Sequence, residues 1–463
     1  MKKFFEKNNL IKWTGLVLIL TVLFSWIFKI SVEGTAEFYR IGVLDFFTIG
    51  VIGVNSYAAI FTMIIVIAGF YELMKKTNFY KRMIETVSST FKKQGDMFIL
   101  ITMLFFAILS ALFIDTFALL FFVPFFISVI LELKYDRFTA FLATFGSILV
   151  GTIGSLYNGN YVGQLVSVLG NTYKDNAIYR FGLFAVAFIM LVVFTLMQAK
   201  KSSKKELTSE IADELFVVKK PKKEKKAIGS VIIFVLLSIV VIIAAIQWGS
   251  AFNATWAASL HNWFNELTIA GEPLLKHLVG YNAEFGTWDL FNFQALILFA
   301  SALIAIGSRI SLSDFIDSFV EGMKKVAKPL MVIFVVFFIR TVVYYYPAIQ
   351  TVFDGMMKEF NYFVAAFIGF FASIFGVDVQ NTWAISGARM VSAFEPVINK
   401  NTLSVIFQSV YGLAQFVAPS SVFLMLGLSF LDIPYTTWLK KSWKLIVGLL
   451  ILVIVVIGLV TQL

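Results

Sequence analysis

Long apolar runs, separated by short charged segments, are the main pattern along the chain. Many of them approach or reach the roughly 20 residues that a helix needs to cross about 30 Å of hydrocarbon. The runs predicted to cross lie at residues 13–30, 57–74, 178–197, 227–248, 290–306, 329–346 and 445–460. The pattern therefore predicts an all-α polytopic membrane protein.

Lysine clusters beside the apolar runs predict how the chain is oriented in the membrane. Lys2, Lys3, Lys7 and Lys12 precede the first run, and cytoplasmic loops carry an excess of Lys and Arg. We therefore predict a multi-pass protein of the cell membrane, with a cytoplasmic N-terminus and an extracellular C-terminus.

Composition divides the chain into two halves. Residues 198–226 hold ten lysines and five acidic residues, and charge runs of this kind are usually solvated. We predict a solvated, basic cytoplasmic linker there, between a first transmembrane repeat at 1–197 and a second at 227–463. Segments predicted not to cross are an interrupted amphipathic stretch at 41–55, cytoplasmic surface helices at 77–93 and 311–328, and an external cap at 249–289.

Two pairs of short apolar segments each meet at an acidic residue. Residues 97–113 and 117–133 flank Asp115, and each segment, at about 17 residues, is near the short limit for a span. Basic residues at both outer ends place those ends on the cytoplasmic side. The sequence therefore predicts a re-entrant helical hairpin at 97–133 with Asp115 at its tip. A second one, entering from outside, is predicted at 362–397 with Asp378 at its tip.

Each predicted hairpin is followed by a helix that polar residues interrupt. The helix at 138–169 breaks at Asn158, Gly159 and Asn160, and the helix at 403–431 breaks at Pro419, Ser420 and Ser421. Asp115 precedes Asn158 by 43 residues, and Asp378 precedes Ser421 by the same 43 residues. Equal spacing between hairpins of opposite orientation predicts an inverted repeat, which in secondary transporters places the site near the midplane at discontinuous helices.

The hairpin tips and helix breaks form the predicted site. Half-helix ends carry about half a unit of charge, so their N-termini can hold a carboxylate while freed carbonyls hold a cation. Acids within the membrane mark functional sites by default. The candidate substrate-binding residues are Asp115, Thr116, Asn158, Gly159, Asn160, Asp378, Asn381, Thr382, Pro419, Ser420 and Ser421. A coupling Na⁺ or H⁺ is placed near Asp115 and Asp378, and no other cofactor is expected.

Structural roles for the same residues stay open. The two aspartates could act only as N-caps that satisfy orphan amides, and the polar residues of the breaks could only satisfy interrupted backbone. For Arg340 and Arg389, which lie in apolar stretches near the predicted outer side, snorkelling to the interface is favoured over ligand binding.

Composition excludes several function classes. The 463 residues are 59% apolar and 14% charged, against about 45–50% and 25% in soluble domains. There is no cysteine and there are only two histidines, which leaves no thiol chemistry and little for a histidine metal site. The net charge of +10 comes from lysines beside membrane segments, so nucleic acid is not an expected partner. The expected partners are a small-molecule substrate and the lipid bilayer, with a homodimer left open.

Two rival classes remain as alternatives. An ion channel would need a continuous pore lined by carbonyls or charged rings. An intramembrane aspartyl protease needs two aspartates that share a proton, but here each aspartate lies at a hairpin turn. The chain has no HExxH or P-loop motif, so active transport would have to be secondary.

Three short motifs resemble those of the YfcC/DcuC-type carriers. They are residues 69–77 (GFYELMKKT), residues 151–158 (GTIGSLYN), and residues 418–421 (APSS) followed by 432–439 (DIPYTTWL). These carriers are anaerobic C4-dicarboxylate carriers and basic amino acid antiporters of the ion transporter superfamily, and the resemblance covers residues 44–460. It implies an inverted-repeat carrier with two re-entrant hairpins.

Two departures from this family bear on the substrate. Its first tip carries paired glutamates where this chain has Asp115-Thr116, and its second tip is rich in small residues where this chain has Asp378. An extra acid favours a cationic group on the substrate. We therefore predict a non-enzymatic secondary transporter of a small carboxylate-bearing metabolite, with arginine/ornithine-type exchange favoured over a C4-dicarboxylate carrier coupled to Na⁺ or H⁺.

Overall fold

The computed structural model describes residues 42–462, with gaps at 202–209, 219–227, 269–270, 274–275, 278–279, 281, 346–355, 358, 376–378 and 396. Before residue 42 it describes only positions 16, 19, 20, 22, 23, 26 and 27. Most residues of the span predicted at 13–30 lie outside the described residues. Asp378 and the side chains of Asn381 and Arg389 lie outside them as well.

The described chain is built from helices. Those of the first half are α1 (Val43–Ser56), α2 (Ala58–Lys75), α3 (Asn78–Thr90), α4 (Gly95–Leu112), a 3₁₀ helix (Thr116–Phe121), α5 (Val123–Glu132), α6 (Arg137–Phe141), α7 (Ser147–Ile153), α8 (Gln164–Leu169), α9 (Ala177–Lys201) and α10 (Glu210–Phe216). A π-helical turn, Leu142–Gly146, joins α6 to α7, and another, Gly159–Gly163, precedes α8.

The second half continues in the same way. Its helices are α11 (Ile228–Ala245), α12 (Trp248–Phe252), α13 (Trp256–Glu266), α14 (Leu290–Gly307), α15 (Leu312–Tyr345), α16 (Tyr362–Phe375), α17 (Val379–Thr382), α18 (Ala388–Phe394), α19 (Lys400–Val417), α20 (Val422–Phe430) and α21 (Tyr435–Val460). A π-helical turn, Trp383–Gly387, joins α17 to α18.

Several helices have the length and composition of membrane spans. Among the described residues they are Ala58–Lys75, Gly95–Leu112, Ala177–Lys201, Leu290–Gly307, Lys400–Phe430 and Tyr435–Val460. The predicted class, an all-α polytopic membrane protein, is therefore confirmed. The helix pairs and the broken helices also occur where the sequence predicts them. How deep the hairpins reach in the bilayer stays a prediction.

The segments predicted as a surface helix (311–328) and a separate span (329–346) form one helix, α15, which continues through Pro329. An interior proline removes one backbone hydrogen bond, and membrane helices tolerate this where neighbouring helices support them. Such a neighbour is present, because α15 lies so close to α2 that a Cβ on Gly322 would be 2.6 Å from backbone atoms of Ala68 and Gly69.

The segment predicted to be a solvated linker is not solvated throughout. Its middle forms α10, in which Ala212 and Phe216 are buried. The prediction weighed average composition, but Ala212 and Phe216 are four residues apart and therefore share one helix face. That face packs against α5, α15 and α20.

The two broken helices cross each other at Gly412. Helix α19 packs on α7, and a Cβ on Gly412 would lie 2.3 Å from the Cα of Ile153 and 2.6 Å from its backbone nitrogen. Because both of these atoms belong to backbone, neither can move aside as a side chain would. The crossing therefore requires glycine.

We expect Gly412→Ala to destabilise the protein by about 1–3 kcal/mol, the usual cost of overpacking a well-packed contact. Thermal unfolding of the purified protein would show this as a lower midpoint. Gly458→Ala is the matched control, since nothing lies within 4 Å of that position in α21 and alanine is the better helix former. Equal midpoints for the two variants would contradict the close crossing.

Candidate substrate site

The first hairpin is fixed at both of its ends. At the open end, the Tyr135 hydroxyl donates to Asp96 Oδ1 at 2.7 Å. Burial and this hydrogen bond raise the pKa of Tyr135 well above its ordinary value, so the phenol stays protonated and keeps donating at physiological pH. At the tip, Asp115 Oδ1 accepts from the Phe117 amide at 2.8 Å, which caps the 3₁₀ helix. The Ile114 amide donates to the Ala245 carbonyl at the end of α11 at 2.7 Å.

The break after α7 lies directly against this tip. The Tyr157 amide donates to the Ala111 carbonyl at 3.0 Å, and the Gly159 amide donates to the Phe113 carbonyl at 3.2 Å. A Cβ on Gly159 would be 2.7 Å from the Ile114 carbonyl oxygen. Because glycine has no side chain, the backbone of the break can approach the backbone of the tip. Gly159, a predicted site residue, therefore has a structural role here.

Asn158 joins the tip to the break. It is fully buried, and its Nδ2 donates to the Ser110 carbonyl at 2.8 Å and to Thr116 Oγ1 at 3.0 Å. Its Oδ1 accepts from the Asn160 amide at 2.8 Å. These bonds engage both ends of the amide, so Asn158 and Thr116 hold the tip in place.

Protein donors also occupy the carbonyls that the first break frees. Gln408 Nε2 donates to the Ser155 carbonyl at 2.7 Å. Gln247 Nε2 donates to the Tyr157 carbonyl at 2.6 Å. The sequence predicts that carbonyls freed at a break can hold a cation. These two carbonyl oxygens already accept hydrogen bonds from protein side chains.

The second break is satisfied in the same way. Helix α21 covers the end of α19, where Trp438 Nε1 donates to the Phe416 carbonyl at 2.9 Å and the Tyr435 hydroxyl donates to the Val417 carbonyl. The Ser420 hydroxyl donates to the Ile374 carbonyl near the end of α16. The second break is thereby fastened to the first arm of the second hairpin.

A cavity of about 170 Å³ lies between the first tip, both broken helices, α2, α14 and α15. Its lining residues are Tyr57, Ile60, Asp115, Phe117, Leu149, Thr152, Asn160, Tyr161, Leu290, Phe337, Arg340, Tyr411, Gln415, Val422 and Phe423. It is the candidate substrate site, because it gathers a carboxylate, a guanidinium and several amide and hydroxyl groups in one cavity.

The cavity brings together only part of the predicted residue set. Asp115 and Asn160 line it. The other predicted residues whose side chains are described do not; they are Thr116, Asn158, Gly159, Thr382, Pro419, Ser420 and Ser421. Thr382 is buried in the second hairpin. Ser421 Oγ is buried, and no residue that the structure describes forms a hydrogen bond with it.

Arg340 and Gln415 line the cavity but were not among the site residues predicted from the sequence. Arg340 is only 1% exposed and lines the cavity together with Asp115, so it does not snorkel to the interface. Gln415 is 5% exposed, and its Nε2 has no hydrogen-bond partner among the described residues. The rule that intramembrane charges face the bundle interior could have identified Arg340, whereas an isolated glutamine in a long helix gives no such signal.

A cavity with charged lining residues, located at a hairpin tip and two broken helices within a polytopic helical bundle, is typical of a membrane transport protein. The chain belongs to the DcuC family, the C4-dicarboxylate anaerobic carriers, whose family model matches residues 16–462. The predicted resemblance is thereby confirmed. No curated protein matches the sequence.

Two solved structures are similar to the chain at low sequence identity. One is the YdaH transporter of Alcanivorax borkumensis, with 11% identity and a TM-score of 0.40 over 97% of both chains. The other is MtrF of Neisseria gonorrhoeae, which belongs to a class of antimetabolite efflux pumps; it has 11% identity and a TM-score of 0.36, over 97% of this chain and 94% of MtrF.

Proposed function

We propose that the chain is a secondary carrier of small C4-type dicarboxylates. The observation that carries this proposal is the buried guanidinium of Arg340 in the same cavity as Asp115. Membership of the DcuC family, the C4-dicarboxylate anaerobic carriers, supports the same substrate class.

Arg340 is suited to bind one carboxylate of the substrate. A guanidinium presents a planar fork of donors that matches both oxygens of a carboxylate. Gln415 Nε2, which is buried and has no partner within the described part of the chain, offers a further donor from the second broken helix. The volume of about 170 Å³ is below the roughly 300–1,000 Å³ of pockets for drug-sized ligands, so the cavity suits a small metabolite.

Asp115 is suited to a coupling cation rather than to the substrate. A dianion brought beside Asp115 would leave the site with excess negative charge, even after one charge is matched by Arg340. A Na⁺ or H⁺ bound to Asp115 would offset part of this excess negative charge. We therefore interpret Asp115 as the site of the coupling cation beside the anion site.

Arginine/ornithine-type exchange, which the sequence favoured, loses its support at this site. The side chain of a basic amino acid would enter a cavity that already contains the cationic Arg340. Like charges at close range in a buried site are strongly unfavourable. The dicarboxylate alternative does not meet this repulsion.

Uptake into proteoliposomes of the purified protein tests the proposal. We expect labelled fumarate to enter vesicles preloaded with succinate, or vesicles with an inward Na⁺ or H⁺ gradient, and excess arginine not to compete. Empty liposomes give the background. Uptake of labelled arginine driven by internal ornithine, without fumarate uptake, would instead establish the basic amino acid exchanger.

A further inference from the structure

A second cavity lies on the linker side of the molecule, which we predict to be cytoplasmic. It shares α2, α15, α20 and the second arm of the first hairpin with the substrate cavity, but is lined by residues nearer the linker side of each. Helix α2 contributes Tyr57 and Ile60 to the substrate cavity, and Ile64, Tyr71 and Glu72 to the second one. The two cavities are therefore stacked along α2.

The other elements show the same order. Helix α15 lines the substrate cavity with Arg340 and the second cavity with Val326. The second arm of the first hairpin contributes Phe117 to the former and Leu120 to the latter. Helix α20 begins at the substrate cavity and reaches the second one with Phe430. A substrate leaving the site between these elements toward the linker side would enter the second cavity.

The linker helix α10 forms part of the wall of this second cavity. Leu215 and Phe216 are part of its lining. Phe216 is 3% exposed, and its ring meets that of Phe430 edge to face, with centroids 6.4 Å apart. The Phe216 carbonyl accepts from the Ser128 hydroxyl of α5 at 2.8 Å. The end of α10 is thus anchored to two of the elements that line the route.

Lys75, at the end of α2, holds the same end of α10. Its Nζ donates to the Leu215 carbonyl at 2.8 Å and to the Glu214 carbonyl at 3.2 Å. Cations are favourable at helix C-termini, where the last carbonyls have no partner within the helix. The same Nζ donates to Glu72 Oε1 at 2.7 Å, and Lys325 Nζ of α15 donates to Glu72 Oε2 at 2.6 Å. This ion network links α10 to both α2 and α15.

We propose that α10 is a plug, which closes the linker side of the transport route in this conformation and leaves its position when the route opens there. A seven-residue helix is too short to be stable by itself, so α10 depends on its docking contacts. Among its described side chains, only those of Ala212 and Phe216 are buried, which makes undocking a small rearrangement. The inference uses the position of the substrate cavity and holds for any substrate.

Thiol labelling tests the plug directly, because the chain has no cysteine. A single cysteine from Val326→Cys would lie in the second cavity, at a position that is 2% exposed. In lipid nanodiscs, where both faces are accessible, we expect a bulky hydrophilic maleimide to react slowly with it. Adding Phe216→Ala should raise the rate at least about tenfold, which corresponds to about 1.4 kcal/mol.

The neighbouring Val217→Ala is the matched control, since Val217 is 41% exposed and should leave the labelling rate unchanged. Ser313→Cys, on the exposed start of α15, reports full reactivity in each background. Equal labelling of Val326→Cys with and without Phe216→Ala, or labelling as fast as that of Ser313→Cys in the intact chain, would overturn the plug.

A cross-link tests whether α10 has to move. Glu132 and Val217 are both exposed and line one cavity beside α10, so a short bis-maleimide should join the two cysteines of Glu132→Cys/Val217→Cys. We expect this link to stop uptake in proteoliposomes, while the single variants, treated identically, keep it. Full uptake by the cross-linked protein would overturn the proposal. Failure of the intact chain to carry dicarboxylates would instead contradict the proposed function, and the labelling result would stand independently.

Discussion

Replacing Arg340 by methionine is expected to abolish dicarboxylate uptake while leaving the protein folded. Arg340 provides the guanidinium of the substrate cavity and is 1% exposed, so a carboxylate bound there would form a desolvated charge pair. Truncating one partner of such a pair costs about 2–5 kcal/mol or more. This corresponds to a loss of affinity of roughly 30- to 5,000-fold.

Arg340→Lys distinguishes the effect of the positive charge from the effect of the two-pronged guanidinium geometry. Lysine keeps the positive charge but loses the fork that engages both carboxylate oxygens, so we expect a raised KM with part of the maximal rate retained. Substrate-induced thermal stabilisation in detergent provides an independent measure of binding. Arg82→Lys, at an exposed position of α3, is the control and should behave as the intact chain. Unchanged uptake by a folded Arg340→Met protein would remove Arg340 from the site.

Asp115→Asn is expected to abolish uptake driven by a cation gradient without preventing insertion or folding. Asparagine is as good an N-cap as aspartate, so the bond to the Phe117 amide and the hairpin tip should persist. The negative charge is lost, and with it the proposed place of Na⁺ or H⁺. Flux along an imposed Na⁺ or pH gradient measures the coupling, and exchange of labelled for unlabelled substrate measures binding and translocation alone.

Asp289→Asn is the matched control for this charge. Asp289 caps α14 through the Asn292 amide at 3.0 Å, but it is exposed and does not line the substrate cavity. Asp289 acts electrostatically on Asp115, but its replacement takes no carboxylate from the cavity itself, so gradient-driven uptake should persist. If Asp115→Asn retained gradient-driven uptake, Asp115 would be only a cap. The same substitution at Asp378 is predicted to have the same effect, although that residue lies outside the described part of the chain.

The sequence locates the helix pairs and the broken helices because polar residues are costly inside a membrane and therefore concentrate where a helix is interrupted. Asp115 and Asn160 were found in this way and do line the cavity. Asn158 was found by the same signal, but its amide is consumed by Ser110, Thr116 and Asn160. A helix interruption in the sequence therefore shows where backbone amides and carbonyls need hydrogen-bond partners. It does not show which of the nearby polar side chains bond to the backbone and which face the cavity.

Arg340 and Gln415 were not among the predicted site residues because each lies within a regular helical turn and not at an interruption. Arg340 and Gln415 belong to long helices, where the direction of a side chain depends on which neighbours pack around the helix. The docking of α10 was not predicted for a related reason. The many charged residues on either side of it made the whole segment look solvated, although Ala212 and Phe216 are apolar. Their spacing of four residues was present in the sequence, but the surface that receives them belongs to α5, α15 and α20.

Two hydrogen bonds join the first tip and the first break to residues at and just after the end of α11. They can form only after this part of the second half has been synthesised. A chain is released from the ribosome N-terminal half first, so the first hairpin can insert before α11 exists. Until then, the Ile114 amide lacks the Ala245 carbonyl, and the Tyr157 carbonyl lacks Gln247. A nascent chain that stops within the linker would hold these backbone groups unsatisfied in a low-dielectric medium, at a cost of several kcal/mol each. The first half therefore completes the hydrogen bonds of its tip and its break only when residues 245–247 of the second half are in place.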